Sequence, residues 1–412
     1  MHSKILNDDH YHFIGIGGIG MSAIAMALVK LGYTVSGSDL HLNNQTKKLK
    51  DFGVIIFDQQ VEQNIRLIIS LNKEKNIKII VSSAIRTDNK ELLYCIDKKL
   101  SLFHRSEILS LIMKSYISIG VAGSHGKTST STFLSTLLHL CTSNASSITG
   151  GIIPIFKSNA YIEKNKYLVA EIDESDGSTK AYKPDIGIIT NIDLDHVDYY
   201  KNIEHLISVF KDFASNTQKL LTNKDCKNSQ LNNLSHKNFS IKDIKEVNYS
   251  LIPKIVNHSF TIADYYEEEV FIESLKIPIP GLHNLSNIIA AIGCCRIEKI
   301  DIKEIKSNLK YLELPNKRFQ FRGELLGRKF FDDYAHHPEE VKATINLAKL
   351  IVNNEDPNNK NYKRRVVAIF QPHRYSRLLK FIDNLAIELS KADYIIITDI
   401  YSAGEANINN IN

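Results

Sequence analysis

Three clusters of residues in this chain have the types and spacing that phosphate and acyl-transfer chemistry needs. The sharpest is Gly123-Ser124-His125-Gly126-Lys127-Thr128-Ser129, which follows the apolar run Ile117–Ala122 and opens a Ser/Thr-rich helical stretch, Thr128–Leu140. At a strand–glycine–helix turn, backbone N–H groups cradle phosphate oxygens, a lysine reaches the terminal phosphates, and a threonine hydroxyl ligates Mg²⁺. The loop is shorter than the standard phosphate loop, because only Ser124 and His125 separate its glycines. Two acidic runs accompany it. Glu171-Ile172-Asp173-Glu174-Ser175-Asp176 follows the strand-like Tyr167–Ala170, and Asn191-Ile192-Asp193-Leu194-Asp195-His196 follows Ile186–Thr190. Any one of these carboxylates alone reads as a solvated loop residue. Together they fall at the carboxyl ends of parallel strands, where ligands bind, and Mg²⁺ takes one or two carboxylates plus phosphates.

The second cluster is Gly15-Ile16-Gly17-Gly18-Ile19-Gly20, between the apolar run Tyr11–Ile16 and the helical pattern Met21–Leu31. Gly15 permits the tight turn, Gly17 the close approach of a diphosphate, and Gly20 close packing of helix on strand. Asp39 follows at the distance where an acidic residue binds a ribose hydroxyl. Taken alone, the loop reads as a dinucleotide or nucleotide-diphosphate site, without saying which.

The third cluster is Asp332-Asp333-Tyr334-Ala335-His336-His337-Pro338 together with Phe370-Gln371-Pro372-His373-Arg374-Tyr375-Ser376-Arg377. Two arginines among histidines at strand ends suit a carboxylate or phosphate substrate.

With all three clusters in view, the sequence resembles the Mur ligase family. The matching stretches are Phe13–Ser22, Gly37–Asp39, Ala122–Ser129, Glu171–Asp176, Thr190–Asp198, Gly281–Asn287, Asp332–Pro338 and Phe370–Arg377, in family order. Within the family the pattern is most like the branch that joins L-alanine to UDP-N-acetylmuramate. The resemblance implies an ATP- and Mg²⁺-dependent reaction. ATP phosphorylates the lactyl carboxyl, the alanine amine attacks the acyl phosphate, and phosphate leaves. By matched position, Lys127 is implied as the γ-phosphate clamp, with Gly123, Ser124, His125, Gly126, Thr128 and Ser129 around the phosphates. Asn284 and Asn287 are implied as adenine contacts, and Thr128, Glu171 and His196 as metal ligands. Tyr334, His336, Arg374 and Arg377 match positions that hold the alanyl and lactyl ends. Gly15, Gly17, Gly18, Gly20 and Asp39 would then serve the UDP diphosphate. Departures from the family pattern are Ser124 for Thr, Ile172 for Ala and Ala335 for Gly. The chain also stops soon after Asp399–Glu405, where family members usually continue, so the resemblance implies a shortened C-terminal domain.

Composition narrows the classes. Of 412 residues, 43% are hydrophobic and 24% charged, which excludes wholesale disorder. The net charge of +5, from 51 basic and 46 acidic side chains, gives no reason to expect a nucleic-acid or membrane partner. No apolar stretch is long enough to span a bilayer. The polar Met1–His10 is no secretory signal, and five scattered cysteines make no disulfide framework. A cytoplasmic monomer or homodimer is the expectation.

The elements that must carry these clusters alternate between strand and helix, the pattern of doubly wound α/β sheets. The expected division is a Rossmann-like nucleotide domain over 1–115, a central ATP domain over 116–313 and a Rossmann-like C-terminal domain over 314–412. Further expected strands are Tyr33–Ser36, Ile77–Ser82, Lys329–Asp332, Val366–Phe370 and Tyr394–Thr398, with a helix over Asn284–Cys295. Asp225–Pro278 reads as loops with a few strands, Val352–Arg365 as a surface loop and Asn407–Asn412 as a polar tail.

Overall fold

The computed structural model describes residues 8–163, 166–229, 231, 237–354 and 364–407. Its N-terminal sheet has five strands, all parallel, in the order Ile55–Phe57, Thr34–Ser38, Asp9–Ile14, Asn76–Val81, Ser101–His104. The chain reverses its winding between Asp9–Ile14 and Asn76–Val81, so a crevice opens there at the carboxyl edge. Gly15, with φ +85°, makes the turn from the first strand into the helix Ile19–Lys30. That helix buries Met21 through Leu28 without a polar face, because it lies between its own sheet and the strand Ala145–Ile153 of the next.

The second sheet has ten strands. Its centre is parallel and runs Lys219–Asn223, Ile186–Ile189, Ile117–Ala122, Tyr167–Glu171, Ala145–Ile153. Near-continuous apolar runs such as Ile186-Gly187-Ile188-Ile189 suit strands covered on both faces. The helix Lys127–Thr142 covers one face and packs on the helix Leu282–Ile297. Its serines and threonines from Ser129 to Thr136 are buried, and Ser131, Thr136 and Thr142 return their hydroxyl hydrogens to carbonyls four residues back.

The segment read as loops with a few strands holds four strands, more regular than that reading. Lys237–Ser240 joins the parallel sheet, and Tyr249–Val256, Thr261–Glu267 and Val270–Ile277 extend it as an antiparallel meander. The sheet is therefore mixed, with antiparallel edges on a parallel centre.

The C-terminal part holds the hairpin Gln320–Leu325 with Arg328–Asp332, and a separate parallel pair, Val367–Phe370 with Tyr394–Ile397. The helices Pro338–Asn354 and Tyr375–Leu389 close a small core of Val341, Ile345, Phe370, Leu385 and Leu389. Ile369, Ile395, Ile396 and Ile397 of the parallel pair remain exposed. The stretch read as a loop from Val352 begins as the last turn of the first of these helices; residues 355–363, and 408–412 of the expected tail, lie outside the described residues. All five cysteines are free thiols. Among the described residues, no helix is long and apolar enough to cross a membrane.

Candidate active site

The strand Ile117–Ala122 delivers the chain into the glycine turn, and the next strand over holds that turn in place. Ser124 Oγ donates to the Asp193 carbonyl at 2.7 Å, and the His125 amide donates to Asn191 Oδ1 at 2.9 Å. Gly126 sits in the left-handed region, φ +81°, immediately before the helix. A Cβ there would strike the Asn287 side chain, so a side chain is excluded by both conformation and space.

Lys127 begins the helix and folds back over the turn. Its Nζ donates to the Gly123 and Ser124 carbonyls at 2.6 and 3.1 Å, and lies 2.9 and 2.8 Å from the two oxygens of Glu174. Glu174 is 1% exposed. Burial pushes its carboxyl up to about 7, with Lys127 working against that shift and Asp173 adding to it. Burial alone would draw Lys127 down, but the attraction of Glu174, Asp173 and Glu171 holds its ammonium above the usual range. The lysine is thus a charged group held over the turn by two carbonyls and a buried acidic partner.

The Thr128 hydroxyl donates to Glu171 Oε1 at 3.0 Å, and the other oxygen of Glu171 accepts from the Gly150 amide at 2.8 Å. One hydroxyl and one carboxyl side by side at the mouth of a phosphate turn fit Mg²⁺, which keeps waters and takes phosphate oxygens for its remaining positions. His196 lies on the far side of Glu174, its Nε2 3.7 Å from Glu174 Oε1 and 3.8 Å from Asp195 Oδ2. Among the described residues, no three His, Cys, Asp or Glu side chains form a ready metal cluster. The structure therefore joins Thr128 and Glu171 directly, and places His196 beside Glu174 and Asp195 instead.

His125, Gly126, Ser129, Asn284 and Asn287 line one cavity of about 750 Å³ together with Arg318, Phe319, Asp333 and Glu340 of the C-terminal part. Glu340 is the hub of that lining. Its carboxyl lies 3.3 Å from His125 Nδ1, 3.5 Å from Arg318 Nη1 and 3.5 Å from His336 Nδ1, and it accepts from the His336 amide at 3.1 Å. Those partners overcome burial and hold its pKa well below the usual carboxylate range.

Gly17 and Asp39 meet in the N-terminal crevice, where the Gly17 amide donates to Asp39 Oδ2 at 2.8 Å. The other oxygen accepts from the His41 amide at 2.9 Å, so Asp39 holds the glycine loop with one oxygen and its own turn with the other.

A family model described as the Mur ligase family catalytic domain matches residues 10–117, and one described as the Mur ligase middle domain matches 121–295. The chain is 57% identical, over 411 residues, to the UDP-N-acetylmuramate–L-alanine ligase of Prochlorococcus marinus subsp. pastoris (strain CCMP1986 / NIES-2087 / MED4), covering 100% of this chain and 87% of that protein. The chain belongs to the Mur ligase family. A second relative of the same name, from Prochlorococcus marinus strain NATL1A, is 48% identical over 98% of this chain and 81% of its own length. Among solved structures, the UDP-N-acetylmuramate–alanine ligase of Thermotoga maritima superposes with a TM-score of 0.80 at 26% identity, covering 96% of this chain and 86% of that one.

In this Mur ligase the two arginines of the third cluster are not free forks. Arg374, the residue before the helix Tyr375–Leu389, donates to Asp198 at 2.9 Å, and Arg377 in its first turn pairs with Asp195. His336 stands beside Tyr334 and His373, with ring centroids 5.1 and 5.6 Å away. Residue patterns had missed Glu174, Asp195, Arg318 and Glu340 as individual members of the site. Glu174 and Asp195 lay inside the acidic runs already noted. Glu340, in His-His-Pro-Glu-Glu, carried only the weak signal of an acid in the first turn of a helix.

Proposed function

We propose that this Mur ligase joins L-alanine to the lactyl carboxyl of UDP-N-acetylmuramate at the expense of ATP, in peptidoglycan precursor synthesis. The observation that carries the reading is Lys127 folded over the Gly123–Gly126 turn against Glu174, in a turn whose His125 and Gly126 line a cavity that Arg318 and Glu340 of the C-terminal part also line. An amide does not form from a free carboxylate without activation. The γ-phosphoryl group passes to the lactyl carboxyl and ADP leaves. The alanine nitrogen attacks the carbonyl of the acyl phosphate, loses a proton and expels phosphate. Lys127 and the turn amides stabilise the charge on the transferring group. Thr128 and Glu171 would hold Mg²⁺, which supplies further neutralisation when bound. Asn284 and Asn287 would border the adenine, the Gly15–Gly20 loop would take the UDP diphosphate, and His336, beside Tyr334 and His373, would serve the alanyl and lactyl ends. Domain limits near 115 and 313 fit this division of labour.

The test is ADP release by the purified chain with each substrate omitted in turn. Release that requires both UDP-N-acetylmuramate and L-alanine is expected. Equal release with a preformed peptide or another amino acid in place of L-alanine would move the chain to another branch of the family.

A further inference from the structure

The N-terminal sheet buries a carboxyl group that the ligation chemistry leaves unused. Glu91, in the first turn of the helix Lys90–Asp97, has no exposed surface. Its Oε1 accepts from His12 Nε2 and Asn64 Nδ2, both at 3.0 Å, and its Oε2 accepts from Ser38 Oγ at 2.5 Å. None of these three partners is a lysine or arginine. The hydrogen-bonded path continues from His12 through Ser36 to His10 and Thr34, along the first two strands. A polar cluster of this kind inside a sheet core gains little stability over well-packed apolar residues. Its value lies in what it fixes.

What it fixes is the floor of the diphosphate loop. The Ser38 carbonyl accepts from the amides of both Gly15 and Ile16, at 2.8 and 3.0 Å, so the turn hangs from Ser38. The next residue, Asp39, closes on Gly17, and Asn43 Nδ2 donates to the Gly17 carbonyl at 3.0 Å. On the opposite side, Asn64 Nδ2 also donates to the Gln59 carbonyl at 2.7 Å, which sets the loop after Ile55–Phe57. Glu91 itself follows the segment 82–89, whose Ile85 packs so close to Gly15 that a Cβ there would lie 2.9 Å from Ile85 Cδ1. One carboxyl group thus ties together four segments at the carboxyl edge, around the crossover where a doubly wound sheet takes its nucleotide.

We infer that Glu91 is a positioning residue for the nucleotide-sugar subsite, holding Ser38, and through it the Gly15–Gly20 loop, in the geometry that receives the diphosphate. This rests on the assignment of that loop to UDP-N-acetylmuramate. Glu91 touches no substrate; it acts through Ser38 and Asn64.

The experiment measures KM for UDP-N-acetylmuramate and for ATP, with kcat, for the full chain and for Glu91→Ala, Glu91→Gln and Ser38→Ala. Glu91→Ala is expected to raise KM for the nucleotide sugar about tenfold, the scale of one lost buried hydrogen-bond network, and to leave KM for ATP within about twofold. Glu91→Gln is expected to restore most of the loss, because its amide oxygen accepts from His12 and Asn64 while its Nε2 donates to Ser38 Oγ. Ser38→Ala, which removes one bond and no packing volume of note, is expected to shift the same KM about threefold. A residue that merely supports the fold would move both KM values together, and that result would overturn the inference. So would a glutamine variant as impaired as the alanine one. If Glu91→Ala does not fold, Ser38→Ala decides: an unchanged KM for the nucleotide sugar refutes the positioning role. Should the wild-type chain ignore UDP-N-acetylmuramate yet bind another nucleotide, the substrate assignment fails, and the same variants judge Glu91 on that nucleotide.

Discussion

Arg377 commits its guanidinium fork to Asp195, with Nε and Nη2 donating to the two carboxyl oxygens at 3.0 and 3.2 Å across 182 residues of sequence. Both side chains are almost fully buried, 6% and 5% exposed. The pair lies between the C-terminal helix Tyr375–Leu389 and the loop that carries His196, so it docks the C-terminal part onto the edge of the central sheet. Burial opposes ionisation of Asp195, but His196 and Arg377 hold its carboxyl well below the usual range.

Removing one partner of such a pair leaves a buried charge uncompensated, at a cost of about 3–5 kcal/mol. Arg377→Ala and Asp195→Ala are each expected to lower ligation strongly. The double variant should fall much less than the product of the two, with a coupling of about 1.5 kcal/mol or more. Arg377→Lys keeps the charge without the fork and should fall in between. ADP release at saturating substrates checks this, and strictly additive losses would mean that the two residues act independently.

Lys127 separates chemistry from stability. Lys127→Ala is expected to abolish ATP turnover while UDP-N-acetylmuramate still binds, because the two phosphate loops belong to different sheets. It also strands Glu174 and should lower the melting temperature. Lys127→Met combined with Glu174→Gln removes both charges and should recover much of that stability without recovering turnover. Calorimetric titration and thermal melts on the same preparations test both halves. Recovery of turnover in the double variant would rule out Lys127 as the phosphate clamp.

The two glycine turns were legible because a local rule makes them: a strand, a glycine turn and a helix N-terminus lie within about a dozen residues, the arrangement that commonly binds anions. The contacts to the C-terminal part were not. Glu340 matters through His125 and Arg318, and Asp195 through Arg377, and no local pattern encodes such distant pairings. The meander over 249–277 was misjudged for a different reason. Its turn at Glu268 and Glu269 takes positive φ, 47° and 68°, without the glycine that usually announces such a turn. The period of two was nonetheless present, with Tyr249 and Leu251, Ala263 and Tyr265, and Leu275 and Ile277 all facing the core.

The metal requirement tests Glu171 and His196 separately. Glu171→Gln removes the charge of the carboxyl beside Thr128, and His196→Ala removes the imidazole beside Glu174 and Asp195. Each is expected to raise the Mg²⁺ concentration for half-maximal rate, by about tenfold for a lost first ligand, and to lower turnover. Mg²⁺ titrations of ADP release provide the measurement. An unchanged Mg²⁺ dependence in either variant would remove that residue from the metal site.

The last prediction concerns acid. His337 is 5% exposed, its Nε2 lies 3.2 Å from the Leu194 carbonyl, and its ring rests 4.4 Å from that of His125. Burial, reinforced by the charge of His125, lowers its pKa to about 4. In the unfolded chain the imidazole titrates near its ordinary 6.5. Between those values the unfolded or undocked chain binds a proton that the docked one refuses. The contribution is therefore fully present above pH 6.5 and drains away as pH falls towards 4, at most about 3 kcal/mol from this group. The expected outcome is a melting temperature, read on the C-terminal part, that falls between pH 6.5 and 4 in the wild type. In His337→Gln, whose amide can still donate to the Leu194 carbonyl but does not titrate, the fall should be shallower. Hydrogen exchange at the helix Tyr375–Leu389 follows the same docking locally. Parallel pH profiles for wild type and variant would show that the acid sensitivity resides elsewhere.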